Sequence, residues 1–367
     1  PMAINRRQLL LGCCGSVLAA GAPVQALPLA TLYGAARRAS DGSYSAAIFT
    51  ADGHDVRAVA LPERGHDITV CPVTRRCVVF ARRPGNFAIA FTADRDEPPL
   101  AFTTPPDRHF YGHGIFSRDG RLLYATENDF EGARGMIGIY DVTARFKRVG
   151  EFPSHGLGPH DLAFLRREQV LVIANGGLRE HPDFGGGRRV LNPGAIDTSL
   201  AYVDVNTGDL LERHVLGKPG VLSLRHLDVG GDDTVVVGAQ IEGAPDREAA
   251  LVFTHRRQGA LRAVVLPAEL KDRLAGYVSS VAVDRSGEIA AVTSSRGNLT
   301  AMIEIGSGHL VRTVSCADIS GVSATPEPRT FLTTSGEGAV LPVSAYDASA
   351  QAVTTAWSWD NHAVIIV

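Results

Sequence analysis

His160-Asp161-Leu162-Ala163-Phe164, followed after a short polar turn by Val170-Leu171-Val172-Ile173-Ala174, reads as two brief strands of a hairpin. The same unit recurs on both sides of it. Upstream, His113-Gly114-Ile115-Phe116 leads through Asp119-Gly120 to Leu122-Leu123-Tyr124-Ala125-Thr126, and His66-Asp67-Ile68-Thr69-Val70 leads to Cys77-Val78-Val79-Phe80-Ala81. Downstream, His226-Leu227-Asp228-Val229 precedes Thr234-Val235-Val236-Val237-Gly238, and Ser279-Ser280-Val281-Ala282-Val283 precedes Ile289-Ala290-Ala291-Val292. Ser320-Gly321-Val322-Ser323-Ala324 precedes Thr330-Phe331-Leu332-Thr333-Thr334. The steps from His66 to His113 and from His113 to His160 are both 47 residues. The step to His226 is 66, because the fourth unit carries an insertion.

Each pair is followed by two more strands, as in Ser199–Val205 and Leu210–Val215 around the Asn206-Thr207-Gly208 turn. Four strands in a repeat of about 40–50 residues is the pattern of a β-propeller blade. The first segments, Thr31–Gly34, Ser45–Phe49 and Val56–Ala60, read as strands two to four of a blade that lacks its first. The last segment, Asn361-His362-Ala363-Val364-Ile365-Ile366-Val367, reads as that missing strand. The sequence therefore predicts an all-β, seven-bladed propeller over 27–367, with four-stranded antiparallel blades and a ring closed by the last strand.

First strands of a propeller line its central channel, so His66, His113, His160, His226 and His362 are expected at one height around one mouth. Five histidines in seven equivalent positions is a concentrated signal in a chain with 12 histidines among 367 residues. Ser279 and Ser320 take the other two. Neutral imidazole binds transition metals in preference to magnesium or calcium, and no cysteine accompanies the ring. The five are the candidate metal ligands. Asp67 and Asp161, one residue further on, are placed to orient imidazoles or to brace adjacent blades. With the histidines pointing inward, Ile68, Leu162 and Val364 are expected to continue the channel wall. The same face collects the loops Glu127-Asn128-Asp129, Asn175-Gly176-Gly177, Glu242-Gly243, Arg296-Gly297-Asn298 and Glu337-Gly338. The insertion from Leu178 to Gly194, with His181, Asp183, Arg188 and Arg189, is placed to cover the mouth.

Residues 1–26 read as a twin-arginine signal peptide: Arg6-Arg7, a short apolar stretch, and small residues at Val24 and Ala26. That predicts export to the periplasm without a membrane span. A net charge of −3 argues against a nucleic-acid partner. Cys71 and Cys77 bracket a hairpin turn, and a disulfide or two thiols are equally consistent with that spacing. There is no serine nucleophile elbow, phosphate loop, HExxH or haem-attachment motif. No catalytic residue is assigned.

Arg6-Arg7, Gly65-His66-Asp67, Gly112-His113-Gly114, Gly158-Pro159-His160-Asp161, the His181-Pro182-Asp183 insertion and Asn361-His362 together resemble a family of twin-arginine-exported periplasmic propellers filed as a domain of unknown function. Its members are commonly encoded beside imelysin-like and di-haem oxidoreductase-like proteins. The resemblance implies a part in periplasmic iron handling, with such proteins as partners, and places iron slightly ahead of copper. A more distant likeness is to the seven-bladed domain of nitrous-oxide reductase, whose channel histidines hold copper. The two serines, and the lack of a second copper domain, set this chain apart from that enzyme. Two other functions suit the same residues: a metal-dependent oxidoreductase using an open side of the ring, and a protein-binding scaffold with a structural histidine ring.

Overall fold

The computed structural model describes residues 31–93, 95, 97–184, 189–217, 220–244, 246, 248–349 and 351–366. The expected signal peptide, 1–26, lies outside the described residues. No helix among them is long and apolar enough to cross a membrane.

Blade 1 opens with β1 (Leu32–Arg38), β2 (Tyr44–Thr50) and β3 (Asp55–Leu61). Blade 2 follows with β4 (Gly65–Val70), β5 (Arg76–Ala81), β6 (Phe87–Thr92) and β7 (Leu100–Thr103). Blade 3 holds β8 (Arg108–Phe116), β9 (Leu122–Asp129), β10 (Arg134–Asp141) and β11 (Lys147–Pro153). Blade 4 holds β12 (Pro159–Phe164), β13 (Val170–Asn175), β14 (Ser199–Asp204) and β15 (Leu210–Val215). Blade 5 holds β16 (Leu222–Val229), β17 (Val235–Ile241), β18 (Val252–His255) and β19 (Arg262–Ala263), trailed by a short helix, α1 (Ala268–Arg273). Blade 6 holds β20 (Ser280–Val283), β21 (Ile289–Ser294), β22 (Leu299–Glu304) and β23 (Leu310–Ser315). Blade 7 holds β24 (Ile319–Ala324), β25 (Thr330–Ser335), β26 (Ala339–Ser344) and β27 (Val353–Thr354). Neighbours within each sheet are antiparallel, as predicted.

The chain's last strands, β28 (Ser358–Trp359) and β29 (Val364–Ile366), both pair with β1 and supply the inner edge of blade 1. The closure is clasped by side chains. The Arg37 guanidinium lies 3.6 Å from the Trp357 ring centroid and makes two bonds to the Asp55 carboxylate, at 2.5 and 2.6 Å. Trp359 packs on Phe49 with ring centroids 4.5 Å apart.

Seven hydrophobic clusters among the described residues fill the seven spaces between neighbouring blades. Every full burial of a Leu, Ile, Val or Phe side chain there is worth roughly 1.5–3 kcal/mol. Stability is therefore distributed around the ring rather than placed at the channel. Ile68 and Leu162 belong to these clusters, and Val364 packs partly against one of them, which corrects the expectation that they wall the channel. Both faces of an inner strand look toward neighbouring blades, so ordinary alternation sends its side chains there. Cys71 and Cys77 also part company: one sits in the core between blades 2 and 3, the other in that between blades 1 and 2, and both remain thiols.

Candidate metal centre

What turns the histidines to the axis is a break in strand register near one mouth. Pairing of β4 with β5 jumps from Gly65 to Ile68, leaving His66 and Asp67 out of the ladder. On β8 it jumps from Phe110 to Gly114, releasing Tyr111, Gly112 and His113. On β12 it skips His160, on β16 it skips Arg225 and His226, and on β24 it skips Ser320. In blade 1 the gap between β28 and β29 carries His362. The β20–β21 ladder has no break, and blade 6 presents Ser280 rather than a histidine at the ring. Bulges re-aim a side chain at the cost of ladder hydrogen bonds, which is how they serve sites.

All five expected histidines meet, and all are 2–6 % exposed. Around the ring, centroids are 5.0 Å apart for His66–His113, 5.2 Å for His113–His160 and 4.6 Å for His160–His226. His226–His362 at 4.5 Å and His362–His66 at 4.6 Å close the circle. Two trios, His66/His113/His160 and His113/His226/His362, have ring nitrogens within 4.8 Å of one another. Gly112 permits this packing: its φ is +104°, and a Cβ there would stand 2.5 Å from Cδ2 of His66.

Three imidazoles are held by one nitrogen. His66 Nδ1 lies 3.1 Å from Oδ1 of Asp360, and a carboxylate can only accept, so Nδ1 carries the proton. His113 Nδ1 faces Oδ2 of Asp67 at 3.3 Å and Oδ1 of Asp161 at 3.5 Å. His362 Nδ1 lies 3.2 Å from the Ser280 hydroxyl. The opposite nitrogens of His113 and His362 are buried without a hydrogen-bond partner, and so is Nδ1 of His226. This is the arrangement in which carboxylates fix a ligating imidazole and its tautomer. His160 differs, because the Arg225 guanidinium donates to its Nδ1 at 3.2 Å. Its free electron pair is engaged there, and its proton rests on Nε2.

Electrostatics keep most of the cluster neutral. Burial pushes His66 down to about 3 and holds His160, His226 and His362 well below the usual histidine range. Burial also opposes charge on His113, but the carboxylates of Asp161 and Asp67 outweigh it and raise that histidine. Asp161 is itself pushed up to about 6 by burial.

Asp161 plays both parts expected of it: besides facing His113, its Oδ2 accepts the Leu227 amide of the next blade at 3.0 Å. Ser280, rather than Ser279, meets the ring, since the Ser279 hydroxyl turns to Ser295. Of the loop residues, Glu242 reaches the site by pairing with Arg225. Glu127 is committed within blade 3 to Tyr140 and Arg148, and Asn175 to the Ser154 carbonyl. In the insertion, His181 packs against Phe130 and lies 3.3 Å from Glu131. Asp183 and Arg189 are exposed, and Arg188 lies outside the described residues. The insertion's buried side chains among the described residues are Leu178 and Glu180, the latter paired with Arg83. Local sequence gives Glu180, Arg225, Tyr111 and Asp360 little mark as site residues: the last three merely stand one or two positions before a ring histidine. A second group, Glu212, His214 and His255, also has metal-like spacing. There, however, Tyr202 and the Gly259 carbonyl occupy His255, while Arg257 and the Gln258 amide occupy Glu212.

Among solved structures, the chain resembles Kuenenia stuttgartiensis hydrazine synthase at 15% identity and TM-score 0.59, over 91% of this chain and 99% of that one. It also resembles the Myceliophteria thermophila Cps50 (Swd1) β-propeller domain at 12% identity and TM-score 0.57, over 82% and 92%. A chain of the mitotic checkpoint complex matches at 15% identity and TM-score 0.52, over 78% and 76%. At such identities the likeness is one of fold alone. No curated protein matches the chain. The model of a family described as "Protein of unknown function (DUF1513)" matches residues 59–366, and the chain belongs to that family.

Proposed function

We propose that this propeller binds a transition-metal ion among His66, His113, His160, His226 and His362. One observation carries the reading: five buried imidazoles converge, and three of them direct partnerless nitrogens into the cluster. A buried polar atom left bare costs about 1–3 kcal/mol, and a metal ion satisfies several at once. Nε2 of His113 and His362 and Nδ1 of His226 would be the primary donors. His66, oriented by Asp360, would join them, and His160 would do so once Arg225 releases it. All-imidazole ligation suits iron, copper, zinc or nickel. The family resemblance motivates our preference for iron over copper, and with it a periplasmic role beside imelysin-like and di-haem oxidoreductase-like partners after export by the twin-arginine route.

The test is elemental analysis of protein folded in its native host and purified without chelator, beside a His113→Ala/His362→Ala double variant. Stoichiometric iron or copper is expected in the wild type and a collapse in the variant, with the metal-free melting temperatures within a few degrees. Metal-free protein that takes up none of iron, copper, zinc or nickel sinks the proposal. A large loss of stability with metal content unchanged would favour the scaffold reading. The oxidoreductase reading draws support from Ser280 and Ser320, which leave part of the ring without an imidazole. A metal with exchangeable, spectroscopically visible ligands would favour it, whereas a redox-silent, fully protein-coordinated ion would exclude it.

A further inference from the structure

Beside the histidine cluster three more buried atoms have no hydrogen-bond partner: the Tyr111 hydroxyl, Arg225 Nε and Glu180 Oε1. They come from the bulge of blade 3, the bulge of blade 5 and the insertion of blade 4. Their residues are 1 %, 1 % and 2 % exposed. The Glu180 carbonyl accepts from the Asn128 amide at 3.3 Å, Asn128 also bonds His109, and the His109 ring lies 5.3 Å from that of Tyr111, so Glu180 and Tyr111 are near neighbours. Arg225 ties the group to the cluster through its bond to His160. Gly158 borders it: a Cβ there would lie 3.2 Å from the Tyr111 hydroxyl and from the Leu178 carbonyl oxygen. Native proteins rarely leave such atoms bare.

The inventory suits a ligand that both accepts and donates hydrogen bonds. Tyr111 and the Arg225 Nε–H are donors seeking an acceptor, and Glu180 Oε1 is an acceptor seeking a donor. We propose that Tyr111, Arg225 and Glu180 form a receptor for a small hydroxycarboxylate bound beside the metal ion. The carboxylate accepts from Tyr111 and Arg225, and the hydroxyl donates to Glu180. Arg83 and Arg225 are already matched by Glu180 and Glu242. The anion's charge is therefore balanced chiefly by the ion, and the inference rests on the metal reading. The acid could arrive from two sources, free in solution or as the chelate that delivers the metal.

Titration calorimetry of glycolate and acetate into protein purified with its metal tests the receptor. Glycolate should bind at least about tenfold more tightly than acetate, because only it can donate to Glu180. Tyr111→Phe should weaken glycolate by about tenfold, and Glu180→Gln should narrow the preference over acetate. Equal affinities for the two acids, or wild-type glycolate binding by Tyr111→Phe, would overturn the receptor. Elemental analysis of the same samples separates the two readings. Metal-bearing protein that ignores glycolate overturns the receptor alone, and protein that takes up neither ion nor acid overturns both. Offering iron–citrate to metal-free protein distinguishes the sources. Joint retention of iron and citrate marks the chelate, and retention of iron alone by protein that then binds glycolate marks the free acid.

Discussion

Replacing Gly112 with alanine tests whether the bulge on β8 sets the position of His66. The added methyl would stand 2.5 Å from Cδ2, 3.1 Å from Cγ and 3.2 Å from Cβ of the His66 ring. No relaxed structure keeps all three contacts, so the imidazole must move away from its 3.1 Å bond to Asp360. Two costs add. A residue with a Cβ held at φ +104° is strained by about 1–2 kcal/mol. Inserting a methyl into a packed site costs about 1–3 kcal/mol more. The sum, about 2–5 kcal/mol, should lower the metal-free melting temperature by about 4–10 °C at roughly 2 °C per kcal/mol for a large domain. Thermal melts with and without metal would be compared for wild type, Gly112→Ala and a control, Gly150→Ala. The control methyl would meet only Cδ1 of Ile139, at an ordinary 3.6 Å. Metal raises the melting temperature with the logarithm of its affinity for the native state, and that increment should shrink in Gly112→Ala only. An undiminished increment would refute the link between the His66 ring and the ion. An unchanged metal-free melting temperature would refute the packing argument itself.

Trp359→Ala removes a side chain that is 2 % exposed and packed at a tilt against Phe49 at the ring closure. A loss of about 3–5 kcal/mol in denaturant unfolding is expected, and a near-neutral variant would show that β28 does not clasp the ring. Asp284 accepts backbone amides of Ser286, Glu288, Ile289 and Arg329 at 2.8–3.0 Å. Burial opposes the charge, but the Ser286 hydroxyl and these amides outweigh it and hold the carboxyl below the ordinary aspartate range. Its stabilisation is therefore complete above the unfolded value near ~3.9 and is lost as pH falls through the lower folded value. Asp284→Ala should cost about 1.5–3 kcal/mol at neutral pH, with the gap to wild type closing below about pH 4; a gap constant down to strongly acid pH would contradict this. Cys71 and Cys77, facing different inter-blade cores, should both be alkylated after denaturation without reductant. A Cys71–Cys77 disulfide in the non-reduced peptide map would contradict the structure.

The blade count, the closure by the last strand and the gathering of five histidines at one mouth were legible in the chain, because strand, turn and strand recur at fixed intervals and a propeller brings equivalent positions to one height. Much of the site's chemistry was not. A bulge is a mismatch between two strands, so the release of His66, His113 and His226 from their ladders depends on pairing partners that local sequence does not specify. For the same reason Ile68 and Leu162 turn into inter-blade cores, and Ser280 takes the place expected of Ser279. The partners that orient each imidazole also come from elsewhere in the ring: Asp360 reaches His66 across 294 positions of chain, and Asp67 and Asp161 reach His113 from the blades on either side. Periodicity along the chain determines which strand starts gather at the mouth. Only closing the ring decides which side chains meet there, because those contacts form between blades.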